Sequence, residues 1–426
     1  VKDLSLLREA SQDDSLTIPP KEVIAKVTAL LGNKADLDAD TVAVLLWQRG
    51  HAYLNERLTD KALADFERLC ILRPNDLKAR CRLAHSLALL GQTKEAIAQY
   101  DKVLAQDANC ACGHLGVSWM QFAACDYEGA WQTANKALKL DARCYEAYLV
   151  LAGVDYKRKR LDAALETINR YIAFGPVTVG PYCDHHFGIK AVLLIELHRP
   201  KEALSSALLG LKVKPDSELN MECAAWAYAE LKKWSAAAKW AHALVEKYPQ
   251  CVSGLFKCAE IDCELGDRKS SLAYLAKARK LMPPGDAECL AGVAHVYKKL
   301  GSYDLARKHY ERAVDAKAKY YYPKVALAEL LAAHPDENKR NVAEAEQLLT
   351  EIPSNLSKYD LWQVKRVTAI INAEKGEYEV AIKLIRETIE LVGTESGWRA
   401  ELTQMLDLFD SKKPFRLKPA DPQVEQ

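Results

Sequence analysis

Apolar and polar positions alternate in a repeating helical rhythm along most of this chain. In LKARCRLAHSLALL (77–90) the apolar residues recur at helical spacing, and Gly91 follows as a C-cap. A second helix is predicted in TKEAIAQYDKVLAQD (93–107), where Ala96, Tyr100, Val103 and Leu104 share one stripe. The same wording returns in KLGSYDLARKHYERAVDA (299–316) and EKGEYEVAIKLIRETIELV (374–392). With Ala96 as phase marker, the counterparts are Ala62, Ala130, Ala164, Ala203, Ala237, Ser271, Ala306, Ala345 and Ala381. Successive intervals are 34, 34, 34, 39, 34, 34, 35, 39 and 36 residues. A period that returns to 34 five times predicts a tandem array of helix pairs.

The residue types fit that architecture. A small residue at the marker lets two helix backbones approach, and the larger residue four positions on fills the neighbouring groove. Gly91, Gly266, Gly301 and Gly376 occupy the inter-helix turn, and Pro74, Pro176, Pro215, Pro249 and Pro283 close units. A lone helix pair cannot bury its apolar faces, whereas stacked pairs can, so the fold class expected is an all-α solenoid. Residues 1–40 are read as a polar segment and a capping helix, PPKEVIAKVTALLG. Repeats one to four are assigned to 41–177 and repeats five to ten to 178–392. Residues 393–410 supply a C-terminal capping helix with Trp398 and Leu402 facing the last repeat, and 411–426 a flexible, Pro-rich charged tail. The two 39-residue intervals mark insertions, FGPVTVGPY (174–182) and AHPDENKRN (333–341).

Composition narrows the function. The 426 residues are 49% hydrophobic and 27% charged, a folding composition, and 59 basic against 58 acidic residues leave a net charge of +1. That balance argues against nucleic acid as a partner. No apolar run reaches the roughly 18 residues needed to cross a bilayer, so membrane insertion is not expected. No apolar leader stands at the start and there is no initiator Met, so the chain is read as processed or as a piece of something longer. Twelve cysteines stand without a CxxC, mostly in apolar helical contexts, which favours free thiols in the cytoplasm. PYCDHH (181–186) and NCACGH (109–114) carry ligand-type side chains, but neighbours on a helix point about 100° apart and close poorly on one ion. The KRKR run (157–160) is taken as a solvated helix end. No nucleotide loop or nucleophile–base motif is present, so neither cofactor nor catalysis is expected.

The Leu/Trp…Gly/Ala…Tyr…Ala…Phe/Tyr…Ala…Pro pattern resembles the tetratricopeptide repeat family. The first unit carries it as Leu46, Gly50, Tyr53, Ala62, Phe66 and Pro74, and the sixth as Ala225, Tyr228, Ala237, Leu244 and Pro249. The resemblance spans roughly residues 41–392 and implies a right-handed α-α superhelix of about ten pairs. In that family the first helix of each pair lines a concave groove for a peptide or helix of another protein. Mapped by phase, the groove here would present Trp47, His51, Lys78, Cys81, Arg82, Leu115, Trp119, Leu149 and Tyr156. It would continue with Glu222, Trp226, Phe256 and Glu260. Lys78 and Arg82 match the basic pair with which chaperone-binding members clamp a C-terminal carboxylate. The rest of that clamp is missing, since the preceding unit offers Trp47, Gln48 and His51.

The expected function is therefore a non-catalytic scaffold that holds a partner segment in an aromatic-lined groove. Two alternatives stand beside it: an adaptor region of a longer multidomain enzyme, and a self-associating structural subunit of a complex.

Overall fold

The computed structural model describes residues 19–32, 37–174, 185–283, 285–353, 356, 358–392 and 397–418. Among these residues every regular element is helical. A first helix, α1 (Pro20–Gly32), precedes ten pairs. In the first unit the pairs are α2 (Ala39–Asn55) with α3 (Thr59–Leu72), α4 (Leu77–Leu89) with α5 (Thr93–Gln106), α6 (Ala111–Ala123) with α7 (Tyr127–Leu140), and α8 (Ala147–Lys157) with α9 (Leu161–Phe174). Next come α10 (His185–Glu196) with α11 (Pro200–Val213), α12 (Glu218–Glu230) with α13 (Trp234–Lys247), and α14 (Val252–Glu264) with α15 (Arg268–Leu281). The last are α16 (Ala287–Lys299) with α17 (Tyr303–Ala316), α18 (Tyr321–Ala333) with α19 (Val342–Thr350), and α20 (Lys358–Glu374) with α21 (Tyr378–Val392), followed by α22 (Trp398–Asp410). The chain divides within α10 into two compact units, residues 1–190 and 191–426.

The phase marker explains the pairing. Each marker is the fourth residue of the second helix of its pair, and all ten, from Ala62 to Ala381, are fully buried. Ser271 stands where the others have Ala, and its hydroxyl donates to the Ala259 carbonyl at 2.6 Å, so the substitution leaves no orphaned polar atom. Most of the large residues four positions on are buried as well: Phe66, Ile168, Leu275, Tyr310 and Ile385 are at most 1% exposed, while Leu349 is half-buried. Small residues on the first helix receive these rings. A Cβ added to Gly116 would lie 2.0 Å from the Tyr100 ring, so only glycine fits at that crossing.

Within each unit the first helices of consecutive pairs also touch one another, α4 on α6 and α6 on α8, α12 on α14, α14 on α16 and α16 on α18. Among the described residues no comparable packing joins the second helices of consecutive pairs. The first helices therefore form the tighter, inner side of the curve in each unit, and the second helices the outer side.

The second unit contains the larger core. Residues 323–333 of α18 are buried on every side, packed by α16, α17, α19 and α20. The 333–341 insertion is ordered beside it: Asp336 caps a 3₁₀ turn, Glu337–Lys339, and Arg340 pairs with Glu374 at 2.8 Å. Of the first insertion, residues 175–182 lie outside the described residues. The C-terminal segment departs from the flexible tail its composition implies. Residues 413–418 run without regular secondary structure against α17, α18 and α20, with Phe415 and Leu417 packed on the core and the Leu417 N–H donating to the Ala333 carbonyl at 2.9 Å. Arg416 pairs with Glu374 at 2.5 Å and the Tyr303 hydroxyl donates to the Lys418 carbonyl. Two apolar anchors and an ion pair outweigh the Pro-rich, charged average. Residues 419–426 lie outside the described residues.

Candidate partner-binding site

The inner face of the first unit is assembled from α2, α4, α6 and α8. Trp47 is half-buried: its ring lies 4.6 Å from His51 and 6.1 Å from Phe66, so it both packs the first pair and shows an edge. His51 is also half-buried, 5.6 Å from Phe66, and burial ahead of the Arg82 charge holds its imidazole near a pKa of about 3. His85 on α4 is held down to about 4 by the same causes in the same order. Both rings are neutral at pH 7. One turn apart on α4, Lys78 is exposed and Arg82 half-buried. Arg80, between them, is tied to the Gln99 side chain and the Pro74 carbonyl. Among the described residues Lys78 and Arg82 form no ion pair, whereas Arg49 on α2 is held by both oxygens of Asp65 at 2.6 and 2.8 Å.

Further along, Trp119 is half-buried and edge-on to Phe122 at 6.2 Å, and Tyr156 is half-buried with Lys157 and Lys159 each 6.0 Å from its ring. Leu115 is different. It is 9% exposed and belongs to the core with Ala130, Ala134 and Val150, so it supports the face without presenting a surface. The KRKR run is partly neutralised, since Arg158 reaches Glu128 at 2.7 Å and Arg160 reaches Asp155 at 2.6 Å.

On the inner face of the second unit the cations Lys257, Lys298 and Arg366 are each paired with a carboxylate. Lys257 lies 4.7 Å above the Trp226 ring and pairs with Glu260 at 2.7 Å, and the His295 ring stands 3.7 Å from the same carboxylate. Burial opposes ionisation of Glu260, yet Lys257 and His295 together hold its pKa well below the usual carboxylate range. Glu329 on α18 is bracketed by Lys298 at 2.9 Å and Arg366 at 2.8 Å, and Arg366 also approaches Glu401 of α22 at 3.8 Å. Phe256 fits against Gly292 and lies in the packing between α14 and α16. Trp226 keeps 37% of its surface, the largest exposure among the aromatic rings of this face.

Contacts far apart in sequence close this second face further. The Trp398 indole N–H reaches the Glu230 side chain, and Gly397 lies so near the Glu230 carbonyl that an added Cβ would stand 2.2 Å from it. Trp398 packs on Trp362 at 5.5 Å, and Trp362 meets the His198 ring at 5.6 Å. The end of α12 and the loop after α10 are thus joined to α20 and α22. Sequence reasoning missed this closure, because no local pattern links residues 230 and 398.

Of the two ligand-type clusters, NCACGH lies wholly within the described residues and PYCDHH only in part. His114 of NCACGH bonds the Ala108 carbonyl oxygen through Nε2 at 2.9 Å. Residues 181–184 of PYCDHH lie outside the described residues, and His186 packs between Tyr171 and Phe187. Among the described residues no group of three His, Cys, Asp or Glu side chains is arranged to hold a metal ion, and no helix is long and apolar enough to cross a membrane.

A family model described as tetratricopeptide repeat matches residues 48–109 and 121–177, and a second of the same description matches 287–320. No curated protein matches the sequence. Among solved structures, the chain is similar to a tetratricopeptide repeat protein from Parabacteroides merdae, with 16% identity over 62% of this chain and 98% of that one and a TM-score of 0.45. It is similar to yeast Tom70, with 15% identity over 96% of each chain and a TM-score of 0.44. It is also similar to pilF of Pseudomonas aeruginosa, with 17% identity over 50% of this chain and 94% of that one and a TM-score of 0.44.

Proposed function

We propose that this chain, a tetratricopeptide repeat protein, acts as a non-catalytic scaffold that receives a segment of another protein on the inner face of its first unit. The observation that carries the reading is the contrast in charge pairing. Lys78 and Arg82 have no carboxylate partner among the described residues, while the cations Lys257, Lys298 and Arg366 on the corresponding face of the second unit each have one. A half-buried guanidinium flanked by two neutral imidazoles gains a charge-assisted hydrogen bond when an acid is offered to it. Trp47 and Trp119 keep partly open surfaces on either side of it in the pair order, where apolar side chains of the same segment fit. The partner is therefore an extended or helical segment with an acidic residue flanked by large apolar ones.

The test is a selection of random peptides on the full chain, followed by titration of the winners against Arg82→Ala and Trp119→Ala variants of unchanged helicity. Enrichment of an acid beside apolar residues is expected, with each variant weakening binding by roughly tenfold or more, about 1.4 kcal/mol. Peptides that lack an acid, or that bind both variants as tightly as the parent chain, would move the site elsewhere.

A further inference from the structure

The insertion at 333–341 breaks the 34-residue step, and the inner-face site of the first unit makes no use of it. In the second unit it builds a wall. The Asn341 N–H donates to the Leu331 carbonyl at 3.0 Å, Arg340 donates to the His334 carbonyl at 3.0 Å, and the His334 ring stands edge-on to Tyr303 at 5.3 Å. Beside this wall three successive pairs each supply one polar anchor. The eighth supplies the hydroxyl of Tyr303, the first residue of α17. The ninth supplies the carbonyl of Ala333, the last residue of α18, and the tenth the carboxylate of Glu374, the last of α20. A helix has no N–H of its own for its final carbonyls, so that of Ala333 is open to a donor from outside the helix. Together the wall and the anchors form a shelf along the turns inside these pairs.

Residues 413–418 lie on the shelf in the manner of a bound peptide. They adopt neither helix nor strand, and 414–417 are half-buried rather than core. Phe415 and Leu417 pack on the apolar residues beneath. Arg416 between them reaches one oxygen of Glu374 at 2.5 Å, while Arg340 of the insertion holds the other at 2.8 Å. The main chain is read too, since the Leu417 N–H donates to the Ala333 carbonyl and the Lys418 carbonyl accepts from the Tyr303 hydroxyl. The segment leaves α22 through Lys412, whose φ of 52° lies in the left-handed region that side chains adopt at a cost. Its contacts, not its hinge, hold it in place.

We propose that this shelf is a second peptide-binding site, with residues 413–418 as its resident ligand, and that it accepts from another protein a segment with the same succession of aromatic residue, cation and branched aliphatic residue. The resident segment is an internal competitor. Tethered to α22, it is present at an effective concentration roughly in the millimolar range, so an outside segment must bind tightly enough to displace it. Recognition depends on charge as well as shape, because an acid in place of Arg416 would meet the Glu374 carboxylate as a like charge. This preference is opposite to that of the first unit, where Lys78 and Arg82 favour an acid.

The experiment follows the fluorescence anisotropy of a fluorescein-labelled peptide, SKKPFRLKPA (411–420), titrated with the full chain. A Phe415→Ala, Leu417→Ala double variant gives up its own anchors and should bind the peptide about tenfold or more tightly than the parent chain, whose shelf is filled. Arg416→Glu keeps both apolar anchors, so it tests the same release if the double variant fails to fold, and it should bind with intermediate affinity. The same peptide carrying the Arg416→Glu change should bind the double variant about tenfold more weakly. A peptide that keeps only the Phe-Arg-Leu succession in a Gly-Ser background should bind nearly as well as the native one, and an Arg82→Ala change should leave every affinity unaltered. Equal binding by parent and released chains, or no loss on scrambling the peptide, would overturn the site. Binding of the native peptide alone, with none of the Gly-Ser one, would overturn the outside partner.

Discussion

His51 illustrates how a single side chain links the face to the fold. Its ring is packed between Trp47 and Phe66, its Nε2 has no hydrogen-bond partner, and its pKa sits near about 3. The folded chain refuses a proton that the unfolded chain accepts below its ordinary value near 6.5. As the pH falls from 6.5 towards 3, stability therefore declines, by at most about 1.4 kcal/mol per pH unit for each such histidine. His85, held near about 4, adds to the decline over the upper part of that range. Urea unfolding followed by Trp fluorescence should show a midpoint that drops between pH 6.5 and 4.5, and a His51→Leu, His85→Leu double variant should lose that slope. Equal slopes in both proteins would show that other groups govern the acid transition. That His51 lies on the first helix of its pair was legible from its phase in the repeat. That it is neutral and unpartnered was not, because this depends on Phe66 and Arg82 arriving from neighbouring helices. Leu115 shows the converse. Its phase matches Trp47, yet it is core, since the Ala130 and Ala134 of the adjoining helix leave it room to sink.

At the scale of the element, the turn between paired helices repeats in nine of the ten pairs, the exception being α18 with α19, where the 333–341 insertion stands. One residue there has positive φ: Gly91, Gly266, Gly301 and Gly376 at 76–83°, but also Arg57, Cys125, Lys159, His198 and Lys232 at 54–62°. The glycines were readable at once, because the left-handed region costs them nothing. The other five were silent in composition, although a step of 34 residues from Gly91 reaches both Arg57 and Cys125. A side chain in that region costs roughly 1–2 kcal/mol, part of which glycine returns through its freedom in the unfolded chain. Arg57 is exposed, so Arg57→Gly should stabilise the chain by up to about 1 kcal/mol in denaturant titration. A loss of stability would mean that its side chain makes a contact of equal value. The same kind of averaging hid the docked segment at 413–418, where Phe415 and Leu417 decide the packing and their charged neighbours set the composition.

For the whole molecule, the ten-pair architecture was legible because each pair repeats a rule that acts over four or five residues. The partition of charge was not. Lys298, Glu329 and Arg366 come from three successive first helices, and nothing within one repeat reveals that they meet. Burial opposes ionisation of Glu329, but Arg366 and Lys298 outweigh it and hold its pKa far below the carboxylate range. Its contribution is complete above the unfolded carboxyl value near 4.5 and is lost as the pH falls below it. Glu329→Gln leaves two buried cations without their counter-charge and should destabilise the second unit by about 3–5 kcal/mol at pH 7. Scanning calorimetry reads this directly, and a shift of less than about 1 kcal/mol would show that water or Glu401 compensates.

A linear stack whose members touch only their neighbours can come undone from either end, one pair at a time. The contacts of Gly397 and Trp398 with Glu230 change that for the second unit, because they fasten its last helix to a pair five places earlier. It behaves as a buckled belt rather than a zip. Opening it at the C-terminal end first requires the buckle to give, so its pairs hold or fail together, while the helices of the first unit remain free to yield in sequence.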